Sequence, residues 1–298
     1  MAGRQRVVEV SETICHPGAF VTEGLVWDAW NERLLWAVVP EGQVYAWTPR
    51  SGAALQLDLD RPVGAVALRS GGGILLMAGC GVELWDEDLR VLELRTDVEP
   101  DTGANRVNDG TCDGEGRLWV GTMSFARTLG TAALYRVERT AQGLVSTRML
   151  PGVTVSNGID WSLDGRLMYY ADSPTGRVDV FDFDASTGTI ADRRVFVAET
   201  HGRPDGLTVD AEGYVWVALF AGGAVHRYSP SGELDMTLRL PVSLVTNVAF
   251  GGDDLQDLFI TTGSGRLNPA DRAAQPLGGA VFHCRPGMAG RLPSRFEG

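Results

Sequence analysis

A polar residue recurs at one position of a repeated phrase in this chain. Glu23, Asn108, Asn157, Asp205 and Asn247 each open a copy, five residues before a tight turn begins. The copies read EGLVWDAWNERLLWAVV (23–39), GAVALRSGGGILLMAG (64–79), NDGTCDGEGRLWVGTM (108–123), NGIDWSLDGRLMYYAD (157–172), DGLTVDAEGYVWVALF (205–220) and NVAFGGDDLQDLFITT (247–262). In a radial array, residues at one repeat phase face one axis, so these side chains should converge on a small volume. Glu23, Asn157 and Asp205 offer two carboxylates and an amide oxygen, a hard ligand set of net charge −2. Calcium, magnesium or manganese would accept it, and zinc or ferrous iron could. A glycine follows each of the three at once, which lets the backbone come close to the axis. Asn-Gly and Asp-Gly pairs are also common turn formers. A turn role, however, does not require a shared repeat phase, so the coincidence favours convergence. Gly64 interrupts the polar set and is expected to leave an opening for substrate or water.

The elements that would hold these residues are short strands. After each copy comes a second phrase with the period-two alternation of a strand: 42–49, 81–88, 132–139, 176–184, 223–230 and 279–286. Further strand candidates lie at 53–59, 90–96, 145–151, 193–199 and 234–240. Each unit thus supplies about four antiparallel strands, the content of one propeller blade. A repeat of roughly 40 to 50 residues points to such an array. The fold class expected is all-β: a six-bladed β-propeller with a central metal-binding channel, as one domain over residues 1–298. The last unit lacks an outer strand. Arg6 to Val10 is expected to supply it and close the ring, the alternative being closure by C-terminal strands alone. The segments 96–108, 124–132 and 263–279 are long and irregular, and are placed around the mouth of the site as lid and specificity elements. No strong helical stretch is visible.

Composition narrows the function classes. The formal net charge is −12, and the basic residues are all arginine. No basic patch stands out, which argues against a nucleic-acid partner. The N-terminus lacks the apolar stretch of a signal peptide, and no run approaches the ~18 residues of a membrane span. A cytoplasmic, soluble, monomeric protein without membrane contact is the default expectation. Cys15, Cys80, Cys112 and Cys284 form no C-x-x-C pair, so a thiolate zinc site is not expected. Cys80 and Cys112 read as small buried residues within strands. No G-x-S-x-G nucleophile elbow occurs, and His16, His201, His226 and His283 are scattered. His201 reads as a surface-loop residue.

The motifs TEGLVW, NRVNDGTCDGEGRLWVGTM, SNGIDWSLDG, YYADS, GRPDGLTVDAEGYVWVA and TNVAFGG occur in order from Glu23 to near Phe282. In these the chain resembles the family of senescence marker protein (regucalcin), gluconolactonase and luciferin-regenerating enzyme. The resemblance implies a six-bladed propeller with one divalent metal in its central channel, ligated by Glu23, Asn157 and Asp205. It also implies substrate contacts from Arg106 and Asn108 in N-R-x-N-D-G. A guanidinium there could grip ring hydroxyls or lactone oxygens in a planar fork. Asp109 would anchor the loop. Some members carry an acid soon after G-T-M, where this chain has Ser124 and Phe125. That departure implies a less hydroxylated or more apolar substrate.

The activity expected is metal-dependent hydrolysis of a sugar lactone, a small-molecule substrate. The cation would act as Lewis acid on the carbonyl, and Asp205 as general base, with a metal-held hydroxide as the alternative. Three other readings share the architecture. One is an esterase or phosphotriesterase-like hydrolase on the same constellation. Another is a non-enzymatic calcium-binding propeller. The third is a cyclase on the strictosidine-synthase-like version of the fold, against which the retained Glu23, Asn157 and Asp205 count.

Overall fold

The structure, a computed structural model, describes residues 6–15 and 19–298. Two short N-terminal strands, β1 (Arg6–Glu9) and β2 (Thr13–Cys15), precede the repeats. The first blade contains β3 (Thr22–Asp28), β4 (Arg33–Val38), β5 (Gln43–Thr48) and β6 (Gly52–Asp58). The second contains β7 (Val63–Leu68), β8 (Ile74–Ala78), β9 (Gly81–Trp85) and β10 (Leu92–Asp97). In the third are β11 (Asn105–Cys112), β12 (Leu118–Ser124), β13 (Ala132–Thr140) and β14 (Gly143–Val153). The fourth holds β15 (Ser156–Trp161), β16 (Leu167–Asp172), β17 (Arg177–Asp184) and β18 (Thr189–Ala198). Blade five is β19 (Arg203–Val209), β20 (Val215–Phe220), β21 (Ala224–Tyr228) and β22 (Leu234–Arg239). Blade six runs β23 (Val245–Gly251), β24 (Asp257–Thr262) and β25 (Val281–Cys284), with β2 as its outer strand.

The six innermost strands pack side by side in chain order, and β23 returns to pack on β3. Apolar layers between blades form the core, with Trp36, Trp119 and Trp216 among its fully buried side chains. The D-x-x-G turns lie at the far end of the inner strands from Glu23, Asn157 and Asp205. Asp113 shows why that sequence makes the turn: its Oδ1 accepts the N–H groups of Glu115 and Arg117 at 3.0 and 3.1 Å, and its Oδ2 takes the Trp119 indole N–H at 2.9 Å. Asp210 repeats the arrangement with Glu212, Tyr214 and Trp216.

Three expectations need correcting. Arg6–Glu9 does not complete the last blade. It pairs in parallel with β22 as a fifth strand of blade five, and Val10 is buried in the core beside it. The outer strand of blade six is Thr13–Cys15, too short at three residues to show a sequence period. Cys80 is buried, but in the tight turn between β8 and β9 rather than within a strand. A helix, α1 (Pro269–Ala274), interrupts the long segment 263–279. Its start is legible after the fact: Asn268 caps it by accepting the Asp271 N–H at 2.9 Å, and proline takes the first turn. All four cysteines are free, and no described helix is long and apolar enough to cross a membrane.

Candidate functional site at the hub

Every inner strand carries a register shift where the repeated phrase opens. The shifts fall between Glu23 and Val26, Val63 and Ala65, Val107 and Gly110, Ser156 and Ile159, Pro204 and Leu207, and Val245 and Asn247. A bulge there leaves residues unpaired and re-aims their side chains. This is the local reason that polar groups can reach the axis from strands that are otherwise apolar.

The glycines after the site residues are held by sterics. A Cβ on Gly24 would lie 2.3 Å from the Ala65 Cα of the next blade, and Gly24 has φ +57°. One on Gly158 would lie 2.5 Å from the Leu207 nitrogen, and one on Gly206 would lie 2.2 Å from the Asn247 side chain. Gly64 does not leave the opening expected of it. A Cβ there would meet the Asn108 carbonyl oxygen at 1.9 Å, so the β11 backbone fills the space.

The expected residues meet through short contacts. Asn108 Nδ2 donates to Asn157 Oδ1 at 2.8 Å and to the Ser156 carbonyl at 2.7 Å. Asn157 Nδ2 donates to Ser173 Oγ, whose hydroxyl donates to the carbonyl of Pro204, both at 2.6 Å. That chain of bonds ends one residue before Asp205. Glu23 hydrogen-bonds the Asn247 side chain and the Gly24 backbone, and it feels the charges of Asp109 and Arg106. Arg106 donates from Nη1 to the Val107 carbonyl at 2.8 Å and is half-buried.

Charge at this hub is costly without a counter-ion. Burial, then repulsion from Asp109, pushes the Glu23 carboxyl up to about 8 against the pull of Arg106 and its hydrogen bonds. Burial, then Glu23 and Asp109, holds Asp205 well above the usual carboxylate range. Asp109 rises to about 6 through burial, despite accepting the Gly110 N–H at 2.8 Å. Among the described residues Asp205 Oδ1 is buried with no hydrogen-bond partner. A buried acceptor without a donor, facing further carboxylates, is suited to a cation. The donor set of Glu23, Asn157 and Asp205 fits a hard divalent ion on that observation. No cluster of three His, Cys, Asp or Glu side chains with metal-site geometry occurs among the described residues, and the amide of Asn157 lies outside that class.

A cavity of about 360 Å³ lies on the axis beneath these residues. Asp109 and Asn247 border it on the hub side, and Arg291 to Ser294 border it on the other. Glu23, Asn157 and Asp205 are not among its walls, so this cavity underlies the candidate site and is not the site itself.

Two features escaped the sequence reading. Asp109 is a third hub carboxylate rather than a loop anchor; strict alternation would have sent it away from Asn108, and the bulge turns both inward. The C-terminal segment is the other. Gly290 bonds Leu255, Arg291 bonds Val209 and Asp160, Arg295 bonds Asp28, and Phe296 and Glu297 bond Leu68 and Gly116. It thereby ties all six blades across the far end of the channel, with Phe296 fully buried. His201 is exposed, as expected, with its Nδ1 3.2 Å from Thr200 Oγ1.

The model of the SMP-30/Gluconolactonase/LRE-like region matches residues 21–264. The chain belongs to that family. It is 36% identical over 295 residues to regucalcin of Oryctolagus cuniculus, covering 95% of this chain and 96% of the relative. A solved structure described as a calcium-binding protein, regucalcin, from Agrobacterium tumefaciens superposes with TM-score 0.91 at 27% identity, covering 99% of this chain and 100% of that one. A luciferin-regenerating enzyme superposes with TM-score 0.85 at 29% identity, covering 96% and 98%. Membership and the six-bladed fold agree with what the motifs implied.

Proposed function

We propose that this family member is a divalent-cation-dependent lactonase that opens a sugar lactone or related cyclic ester. The observation that carries the reading is the partnerless, buried Asp205 Oδ1 beside Glu23 at the hub. A family named in part for gluconolactonase supports the reaction class. Glu23, Asn157 and Asp205 would hold the ion, one of calcium, zinc, manganese, magnesium or ferrous iron. When bound, such an ion supplies Lewis-acid polarisation of the lactone carbonyl.

The chain's own residues supply the rest. Arg106 stands at the mouth with donors to orient ring oxygens, and Asn108, whose two N–H groups are spent on Asn157 and Ser156, offers its Oδ1 to accept from a ring hydroxyl. The short bonds from Asn108 to Asn157 and Ser156 fix that amide before substrate arrives. Asp205 acts as general base on the attacking water. Burial raises its proton affinity in the cation-free hub, and a bound cation would lower it again, leaving the carboxylate ionised to take the proton. The water oxygen bonds to the carbonyl carbon, the ring C–O bond breaks, and the ring oxygen leaves as a hydroxyl, taking a proton. The product is an open-chain hydroxy acid. The proposal includes a monomer acting on a small molecule in the cytoplasm, with no nucleic-acid or membrane partner.

The test is acid release at constant pH from a panel of aldonolactones, with aryl esters and phosphotriesters as comparison. Cation-dependent turnover of lactones supports the reading, and turnover confined to phosphotriesters moves the activity to the sister class. The second reading, a calcium-binding propeller without turnover, draws on the calcium-binding description of the Agrobacterium relative. Calcium binding with no hydrolysis across the panel would select it.

A further inference from the structure

An asparagine can present either its oxygen or its NH2 group along one direction, and its neighbours decide which. At Asn157 the choice matters, because only Oδ1 can ligate a cation. Its Nδ2 donates to Ser173 Oγ at 2.6 Å. The Ser173 hydroxyl donates in turn to the Pro204 carbonyl, also at 2.6 Å. A carbonyl can only accept, so the hydroxyl proton is committed to Pro204 and the serine oxygen must accept from Asn157. On the other side, Asn108 Nδ2 donates to the Ser156 carbonyl at 2.7 Å and to Asn157 Oδ1 at 2.8 Å. Backbone carbonyls at both ends thus set the direction of every bond in the relay. Turning the Asn157 amide over would set its oxygen against a hydroxyl oxygen whose proton is spent. It would also set its NH2 against the NH2 of Asn108. Asn157 and Ser173 are both buried, which raises the cost of such a mismatch. Held as it is, Asn157 Oδ1 spends one lone pair on Asn108 and keeps the second for an ion.

The backbone fixes Ser173 where the relay needs it. It opens a 3₁₀ turn, Ser173–Thr175, directly after β16. Its N–H donates to the Val155 carbonyl and its own carbonyl accepts the Gly176 N–H, both at 3.1 Å. Pro174 follows it and stiffens the turn. Pro204 stands at the register shift of β19, one residue before Asp205. Strands β15 and β19 are in close contact there, since a Cβ on Gly158 would lie 2.6 Å from the Asp205 carbonyl oxygen. Ser173 therefore joins a side chain of blade four to the backbone of blade five beside two of the candidate ligands. Its hydroxyl meets an amide and a carbonyl, not a base, so it is no nucleophile.

We propose that Ser173 is a positioning residue of the cation site: its hydroxyl orients the Asn157 amide so that Oδ1 faces the ion, and ties that ligand to the strand that carries Asp205. This rests on the reading that Glu23, Asn157 and Asp205 hold the ion, and not on the reaction. Removing the hydroxyl releases the constraint. In Ser173→Ala the Asn157 NH2 and the Pro204 carbonyl lose a buried partner. The amide can then turn its NH2 toward the ion, and water takes the place of the lost oxygen.

The experiment measures cation binding directly, with no lactone present. Calorimetry follows calcium, manganese or zinc, one at a time, into chelated protein. Ser173→Ala should weaken the tightest-bound of these by about 10- to 100-fold. Europium luminescence lifetimes in H2O and D2O count the waters on a bound ion, and the variant should carry about one more than wild type. Asn157→Asp separates orientation from packing. A carboxylate presents oxygen whichever way it turns, so adding Ser173→Ala to Asn157→Asp should change affinity by less than about threefold. Circular dichroism and melting temperature check that each variant is folded. Equal weakening by Ser173→Ala with and without Asn157→Asp marks a merely structural serine and overturns the proposal. So does a Ser173→Ala protein that binds the ion as tightly as wild type with the same number of waters. Failure of the wider reading looks different. Wild type that binds none of the three ions discards the cation site and this proposal with it. Tight, Ser173-dependent binding without lactone turnover discards the lactonase and leaves Ser173 in its role.

Discussion

Replacing Glu23 with glutamine should affect the chelated and the cation-loaded protein differently. The native Glu23 carboxyl keeps its proton to about pH 8, against an ordinary 4.5. Between those values the native state holds a proton that the unfolded chain has released. Unfolding therefore becomes easier as pH rises through that window, and the loss levels off above about pH 8. At ~1.4 kcal/mol per tenfold, the cost reaches at most about 3 kcal/mol by pH 7 and about 5 kcal/mol above pH 8. Glutamine keeps an oxygen to accept the bonds from Asn247 and Gly24 but carries no charge. It also removes one source of repulsion on Asp205. In chelator, Glu23→Gln should thus be the more stable protein at pH 8, by about 2 to 5 kcal/mol, and nearly equal to wild type at pH 5. Added cation should reverse the order at pH 5 and narrow the variant's lead at pH 8. Wild type gains about 2.7 kcal/mol at a hundredfold excess over its Kd, and the variant gains little. Urea unfolding at the two pH values, with chelator or cation, reads all four states. If the chelated variant loses stability between pH 5 and 8 as steeply as wild type, the electrostatic account of the hub is wrong.

Other perturbations address the scaffold and the chemistry. Gly158→Ala should destabilise by about 1 to 3 kcal/mol and weaken cation binding, because its Cβ would meet the Leu207 backbone nitrogen at 2.5 Å and push β15 from β19; thermal melts and calorimetry check both. Phe296→Ala should cost about 3 to 5 kcal/mol by emptying a fully buried site that the C-terminal segment shares with blades two and three, read by urea unfolding. Asp205→Asn should remove lactone turnover while leaving the circular dichroism spectrum intact, since the site lies at strand starts and not in the apolar layers; residual turnover above a few per cent of wild type would dismiss Asp205 as the base.

The fold was legible because propeller blades repeat. The strand expected at 234–240 is β22 at Leu234–Arg239, and that at 132–139 is β13 at Ala132–Thr140. Phase alone brought Glu23, Asn108, Asn157, Asp205 and Asn247 to notice. The bulges that aim them were not legible, because a register shift is a property of two paired strands and no single segment encodes it. For the same reason Asp109 looked like a neighbour of the site and not part of it. The last fourteen or so residues have no period at all. Their value lies in backbone bonds to distant turns, such as Phe296 N–H to the Leu68 carbonyl at 2.8 Å, which no local pattern announces. Arg6–Glu9 alternated well enough to read as a strand, but pairing partners are set by where the chain enters the ring.

The most direct test is a titration of chelated protein with one divalent cation at a time, following bound ion by elemental analysis and lactone hydrolysis on the same samples. One ion per chain is expected, with turnover rising in proportion to occupancy and both lost together in Asp205→Asn. Undiminished hydrolysis at zero bound metal would contradict it.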